Sequence, residues 1–194
     1  MTNKDKQLIR LYGEFLTRFE FVCSRLLFAI SHLLFPDDYI SKRNVCEIMT
    51  EGLTADPLLK KFLALIIERN TKQSDIYKSS NLISKTFKEI IELRNSFAHG
   101  TPFFGEHDFI QETKKARLVL QHPKLKSEGL DLNFKSYDSK KLNELISCLH
   151  KIESSIHLVT VQLRKDELKV EVKKIFNDKI LSDLKALNIK QLMK

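Results

Sequence analysis

One apolar stripe constrains this chain more than any other feature. Between residues 5 and 34, Leu8, Leu11, Phe15, Phe19, Val22, Leu26, Ala29 and Leu33 recur at steps of three and four. That spacing keeps side chains on one face of an α-helix. A helix of this length runs about 45 Å, so it must lay its stripe against several other elements. Pro36-Asp37-Asp38 ends it. The 194 residues hold only 5 Gly and 4 Pro, too few breakers for many short strands and enough for a few long helices.

The rest of the chain follows the same pattern. Residues 40–50 read as a short helix. Thr54 suits an N-cap and Pro57 a first turn, opening a helix over 55–69 with Leu58, Leu59, Phe62, Leu63, Leu65 and Ile66 in helical register. A polar connection over 70–78 leads to a helix over 80–99, stopped by Gly100 and Pro102. Residues 101–137 differ: Arg117–Gln121 and Leu130–Phe134 alternate polar and apolar around Lys126–Gly129, as in a small β-hairpin or an irregular excursion. A long helix resumes at 138, with Asp138 or Ser139 as N-cap, and helical spacing continues through 166–194. The expected fold is all-α: a bundle of four to five main helices with a small hairpin-like insert and a C-terminal helical tail. It is one domain over 1–194, with its core at 5–165, the insert at 101–137 and the extension at 166–194. Phe21 and Phe28 form a second apolar line off the main stripe, which suits either deep burial within the monomer or a subunit interface.

The net charge of +8 suits a polyanionic partner without requiring one. Cys23, Cys46 and Cys148 are far apart and form no Cys-x-x-Cys pair, so they read as reduced core residues rather than a zinc site or disulfide framework. Met1–Lys6 is polar and the run Leu26–Ile30 is short, so no signal peptide is expected. Arg18, Arg25 and His32 interrupt any candidate span. A cytoplasmic protein with no membrane partner is the expectation.

Chemistry concentrates at Arg94-Asn95-Ser96-Phe97-Ala98-His99-Gly100. On a helical wheel Phe87, Ile90, Ile91, Leu93, Phe97 and Ala98 share a broad face, and Arg94 falls in its middle. A guanidinium there needs an acidic partner, a subunit interface or a site, because an unpaired buried charge is costly. Asn95 and His99, four apart, share a side. Arg94 and His99 stand about 140° apart on an ideal helix. They converge only if the last turn distorts, if Arg94 curls round, or if two subunits supply the set. These groups suit RNA phosphodiester cleavage. An imidazole can take the 2′-OH proton or give one to the leaving 5′-oxygen. A guanidinium can grip the phosphate bidentately, and the amide of Asn95 can orient either. No cluster of Asp, Glu and His suggests a metal. Two plainer readings stand beside this one. Arg94 could bridge an acid of the first helix, Glu14 or Glu20, and His99 could complement a helix C-terminus.

The string Ile90-Ile91-Glu92-Leu93-Arg94-Asn95-Ser96-Phe97-Ala98-His99-Gly100, closing a helix of an all-α chain, resembles the HEPN superfamily. Its hallmark is Arg, a polar residue, then His after four to six positions, late in a helical bundle. The resemblance covers about 5–165, and only the motif is specific. It implies a homodimer whose two motifs face each other in a composite site, cleaving RNA without metal or cofactor to leave a 2′,3′-cyclic phosphate. It implies Arg94 and His99 as the catalytic pair with Asn95 in support, and Glu14, Arg18 or Glu20 as an added group from the first helix. It also implies a setting in prokaryotic defence, as a toxin–antitoxin or abortive-infection effector with a neutralising or regulatory protein partner. The alternative it carries is a non-catalytic module that binds RNA, nucleotide or protein.

Other polar residues read more plainly. His107 and His122 lie in the insert and read as solvated, while His150 and His157 read as packing or surface residues. Lys114, Lys115 and Arg117, with Lys124 and Lys126, form a basic stretch suited to RNA phosphates or to a solvated loop. The C-terminal lysines alternate with acids, as on an exposed helix face.

Overall fold

A computed structural model of the chain describes residues 2–38, 40–69, 74–105, 117–126, 129–164, 170–187 and 189. Six helices occur among them: α1 (Asn3–Leu34), α2 (Arg43–Thr50), α3 (Ala55–Arg69), α4 (Asp75–His99), α5 (Ser139–Arg164) and α6 (Val170–Lys185). Three strands, β1 (Thr101–Gly105), β2 (Arg117–Lys126) and β3 (Gly129–Tyr137), stand between α4 and α5. The molecule is a helical bundle with one small sheet, as the periodicity predicts.

α1 is the bundle's spine. All eight residues of its stripe are buried, each contributing roughly 1.5–3 kcal/mol for a Val, Leu or Phe. α5 lies along it, with Leu142, Leu145, Leu149, Ile152, Ile156 and Val159 buried in the same core. Thr2 and Asp5 close a reciprocal capping box at the start of α1. Asp138 caps α5, accepting from the Lys141 amide at 2.8 Å.

Three expectations shift. α4 begins at Asp75 rather than near residue 80, because the hydroxyl of Ser74 accepts from the Tyr77 amide and caps it. Ile76 in the first turn packs against the core, but Lys78-Ser79-Ser80-Asn81 follow it, so hydrophobic spacing alone starts the helix too late. The insert is a three-stranded antiparallel sheet rather than a lone hairpin, ordered β1-β2-β3. Of the two readings of the alternating segments, the hairpin is the one that forms, with Gln121 opposite Phe134 and Lys126 opposite Gly129. β1 was not expected, because Pro102 reads only as part of the helix stop; it lies on the sheet edge, the position where a strand tolerates proline. Finally, the C-terminal segment is no loose tail. α6 packs on α4 and α5 and buries Ile180 and Leu184. The Asn177 side-chain oxygen accepts from Ser79 of α4 at 3.0 Å and from Gln162 of α5 at 3.4 Å.

Phe21 is 50% exposed and Phe28 39%, so the second apolar line of α1 is not buried within the monomer. Among the described residues, no helix is long and apolar enough to cross a membrane.

Candidate active site

The end of α4 is fixed from one side. Phe97 is buried among Phe15 (ring centroids 4.8 Å apart), Tyr137 (4.9 Å) and Tyr12 (5.6 Å). The Tyr12 hydroxyl donates to the Phe97 carbonyl at 3.0 Å, satisfying one of the carbonyls a helix end leaves open. This aromatic cluster pulls the Leu93–Phe97 side of α4 into the core.

The other side faces a cavity of about 470 Å³. α1 supplies Phe19, Glu20 and Cys23 to its wall. The joint between α2 and α3 supplies Leu53, Thr54, Ala55, Asp56 and Leu58. Gly52, in the left-handed region at φ 72°, makes the turn that brings this joint round. α4 supplies Ile91, Arg94, Asn95 and His99. The three motif residues therefore border one space within a single chain.

No distortion of the helix is needed for this. The last turn is regular, with the Gly100 amide donating to the Ser96 carbonyl at 3.0 Å. The arc of about 140° from Arg94 to His99 has Ile91 near its middle, and Ile91 lies on the cavity wall. The two side chains bracket the cavity instead of pointing away from it.

Arg94 is not enclosed by the apolar face, as the wheel predicts. Its side chain is 33% exposed, and Ala98, placed on the same face, is exposed. The core shifts toward Phe97 at this end of the helix and leaves the Arg94 quadrant to the cavity. A guanidinium nitrogen of Arg94 donates to Glu20 at 3.2 Å, and its central carbon lies 5.4 Å from the Phe19 ring centroid. Arg94 Nε is buried and has no hydrogen-bond partner. Of the three first-helix candidates, Glu20 alone lines the cavity. Glu14 is exposed elsewhere, and Arg18 lies over Phe21 at 5.5 Å. Asn95 and His99 are exposed at the cavity edge.

Cys23 adds a sulfur to the wall. Burial, reinforced by the neighbouring Glu20 and opposed by Arg94, pushes its thiol up to about 12. It is therefore a neutral lining group, not a nucleophile. Phe19, Cys23, Leu53, Thr54 and Asp56 are the site neighbours that sequence reading did not assign. Gly52 directly after a short helix was the available signal for the α2–α3 joint. Asp56 is paired with Lys60 at 2.6 Å.

Arg117 starts β2 opposite Gly105 and donates to the Ser136 hydroxyl at 3.4 Å, away from the cavity. Lys114, Lys115 and His107 lie outside the described residues, as do the side chains of His122, Lys124 and Lys126. His150 and His157 are exposed on α5. Among the described residues, no group of three or more His, Cys, Asp or Glu is arranged to hold a metal ion. Comparison of the chain with protein-family models, with curated proteins and with solved structures gave no match.

Proposed function

We propose that the protein is an endoribonuclease that works without a metal, with Arg94 and His99 as its catalytic pair and Asn95 in support. The observation that carries this reading is that all three border one cavity at the end of α4. The resemblance of Arg94–His99 to the HEPN motif supports it further and suggests a role as a toxin or defence effector. His99 takes the proton from a ribose 2′-OH, the 2′-oxygen attacks phosphorus, and the bond to the 5′-oxygen breaks. The products are a 2′,3′-cyclic phosphate and a 5′-hydroxyl, which receives its proton from the partner's His99 or from water. Arg94 offsets the charge that builds on the phosphoryl oxygens.

The Glu20 pair does not oppose this role. Glu20 is 61% exposed, and an ion pair that open is worth about 0–1 kcal/mol. An incoming phosphate, gripped bidentately, competes well against it. A second copy completes the proposal. Phe21 and Phe28 are apolar and exposed, one and eight residues beyond Glu20 on α1, so they offer a face for a homodimer that brings two sites together.

The test is cleavage of total RNA, with EDTA present, by the wild type, Arg94→Ala and His99→Ala. Cleavage by the wild type alone is expected; equal cleavage by all three would sink the reading. The Arg94–Glu20 contact also favours a second reading, in which Arg94 merely ties α4 to α1 in a non-catalytic binding module. Under that reading the protein retains RNA, nucleotide or a protein partner and never cuts RNA.

A further inference from the structure

The cavity is larger than catalysis at its edge requires. A phosphate gripped by Arg94 and His99 needs only the rim, yet the space measures about 470 Å³, within the roughly 300–1,000 Å³ typical of pockets for organic ligands. Leu53, Leu58 and Ile91, with the edge of Phe19, give part of its wall an apolar character beside the polar groups. That part offers nothing to a phosphate and suits the flat face of an aromatic ring.

Charge narrows the choice. Glu20 and Asp56 both line the cavity. Each is in an ion pair, Glu20 with Arg94 and Asp56 with Lys60, and each keeps a second carboxylate oxygen that only accepts hydrogen bonds, which favours a neutral group with N–H donors over a second phosphate. Thr54 and Asn95 can both donate and accept. A nucleobase combines the required features: an apolar face and an edge of N–H and carbonyl groups. The geometry points to a pocket for one unpaired nucleobase beside the phosphate held at the rim. This deepens the ribonuclease reading and rests on it. A base inside a duplex cannot enter without leaving the stack, so the base at the cut is unpaired when it is bound.

The test compares inorganic phosphate, ribose 5-phosphate and the four nucleoside 5′-monophosphates by NMR titration of the whole protein. At least one nucleotide binds about tenfold or more tighter than ribose 5-phosphate, as stacking of a single base supplies. Leu53→Trp, which fills the cavity from a half-buried position, removes that advantage and leaves the ribose 5-phosphate affinity within about twofold. Equal affinities of the wild type for nucleotide and ribose 5-phosphate overturn the pocket, with no variant involved. An advantage retained in a folded Leu53→Trp protein also overturns it. RNA cleavage measured in parallel separates the two claims. Cleavage without any base advantage removes the pocket and keeps the nuclease, and a base advantage without cleavage keeps the pocket and removes the nuclease.

Discussion

Arg94 of α4 reaches across to Glu20 of α1 at 3.2 Å, while its Nε is buried with no hydrogen-bond partner. The guanidinium is thus held by an exposed acid on one side and the Phe19 ring on another, with a donor to spare. Glu20→Gln should cost no more than about 1 kcal/mol of stability, the ceiling for an exposed pair. It should also strengthen phosphate binding by freeing the cation. Thermal melts and a phosphate titration check both; weaker phosphate binding would mean that Glu20 holds Arg94 in its working position.

Phe97 anchors the turn that carries Asn95 and His99. Truncation of this fully buried ring (Phe97→Ala) is expected to destabilise the protein by about 3–5 kcal/mol. Denaturant unfolding measures the loss. Cleavage should fall together with the folded fraction, because the ring's removal releases the end of α4.

Alkaline stability has a definite sign. Burial raises the thiols of Cys23 and Cys148 from 9.0 to about 12 and about 11, and the Tyr137 phenol from 10.0 to about 12. All three are neutral when protonated, so the folded protein holds protons that the unfolded chain releases. Their stabilisation is complete below pH 9 and is lost as pH rises through 9–12. Denaturant midpoints measured from pH 8 to 11 should fall, and should fall less in Cys148→Ala. Cys23 should resist alkylation at pH 8 in the folded protein.

Asn177 ties α6 to two helices through one oxygen. In Asn177→Ala the buried Ser79 and Gln162 side chains lose this acceptor, and the loss should cost about 1–3 kcal/mol. Unfolding curves test it. An unchanged midpoint would show that α6 contributes little to the bundle.

The exposed ring of Phe21 tests the proposed homodimer. Phe21→Glu places a charge on the α1 face without touching the core, so the fold should persist while the sedimentation mass falls to that of a monomer. Under the composite-site proposal, RNA cleavage is lost in the same variant.

The bundle itself was legible in the chain. The eight stripe residues from Leu8 to Leu33 are all buried in α1, because a period near 3.6 depends only on local geometry and on which side chains avoid water. The helix stop at Gly100 was legible because glycine followed by proline is a local C-terminal signal, whereas alternation over 117–134 left a hairpin and an irregular excursion both open. α6 was readable as a helix, but its place in the core depends on Asn177 meeting Ser79 and Gln162, contacts far apart in sequence. β1 was invisible because the merit of Pro102 depends on which strand lies at the sheet edge.

At the motif the division is equally physical. The sequence determined that Arg94, Asn95 and His99 close a helix and that Arg94 requires a partner. A helical wheel treats that helix alone, so it placed Arg94 within the apolar face and set His99 pointing away. Only tertiary structure decided that Phe97 draws one side into the core and that Gly52 turns the α2–α3 joint toward the other. It also selected Glu20, rather than Glu14 or Arg18, as the acid that meets Arg94. These are contacts between distant segments, and they turn an arc of about 140° from an obstacle into the rim of one cavity.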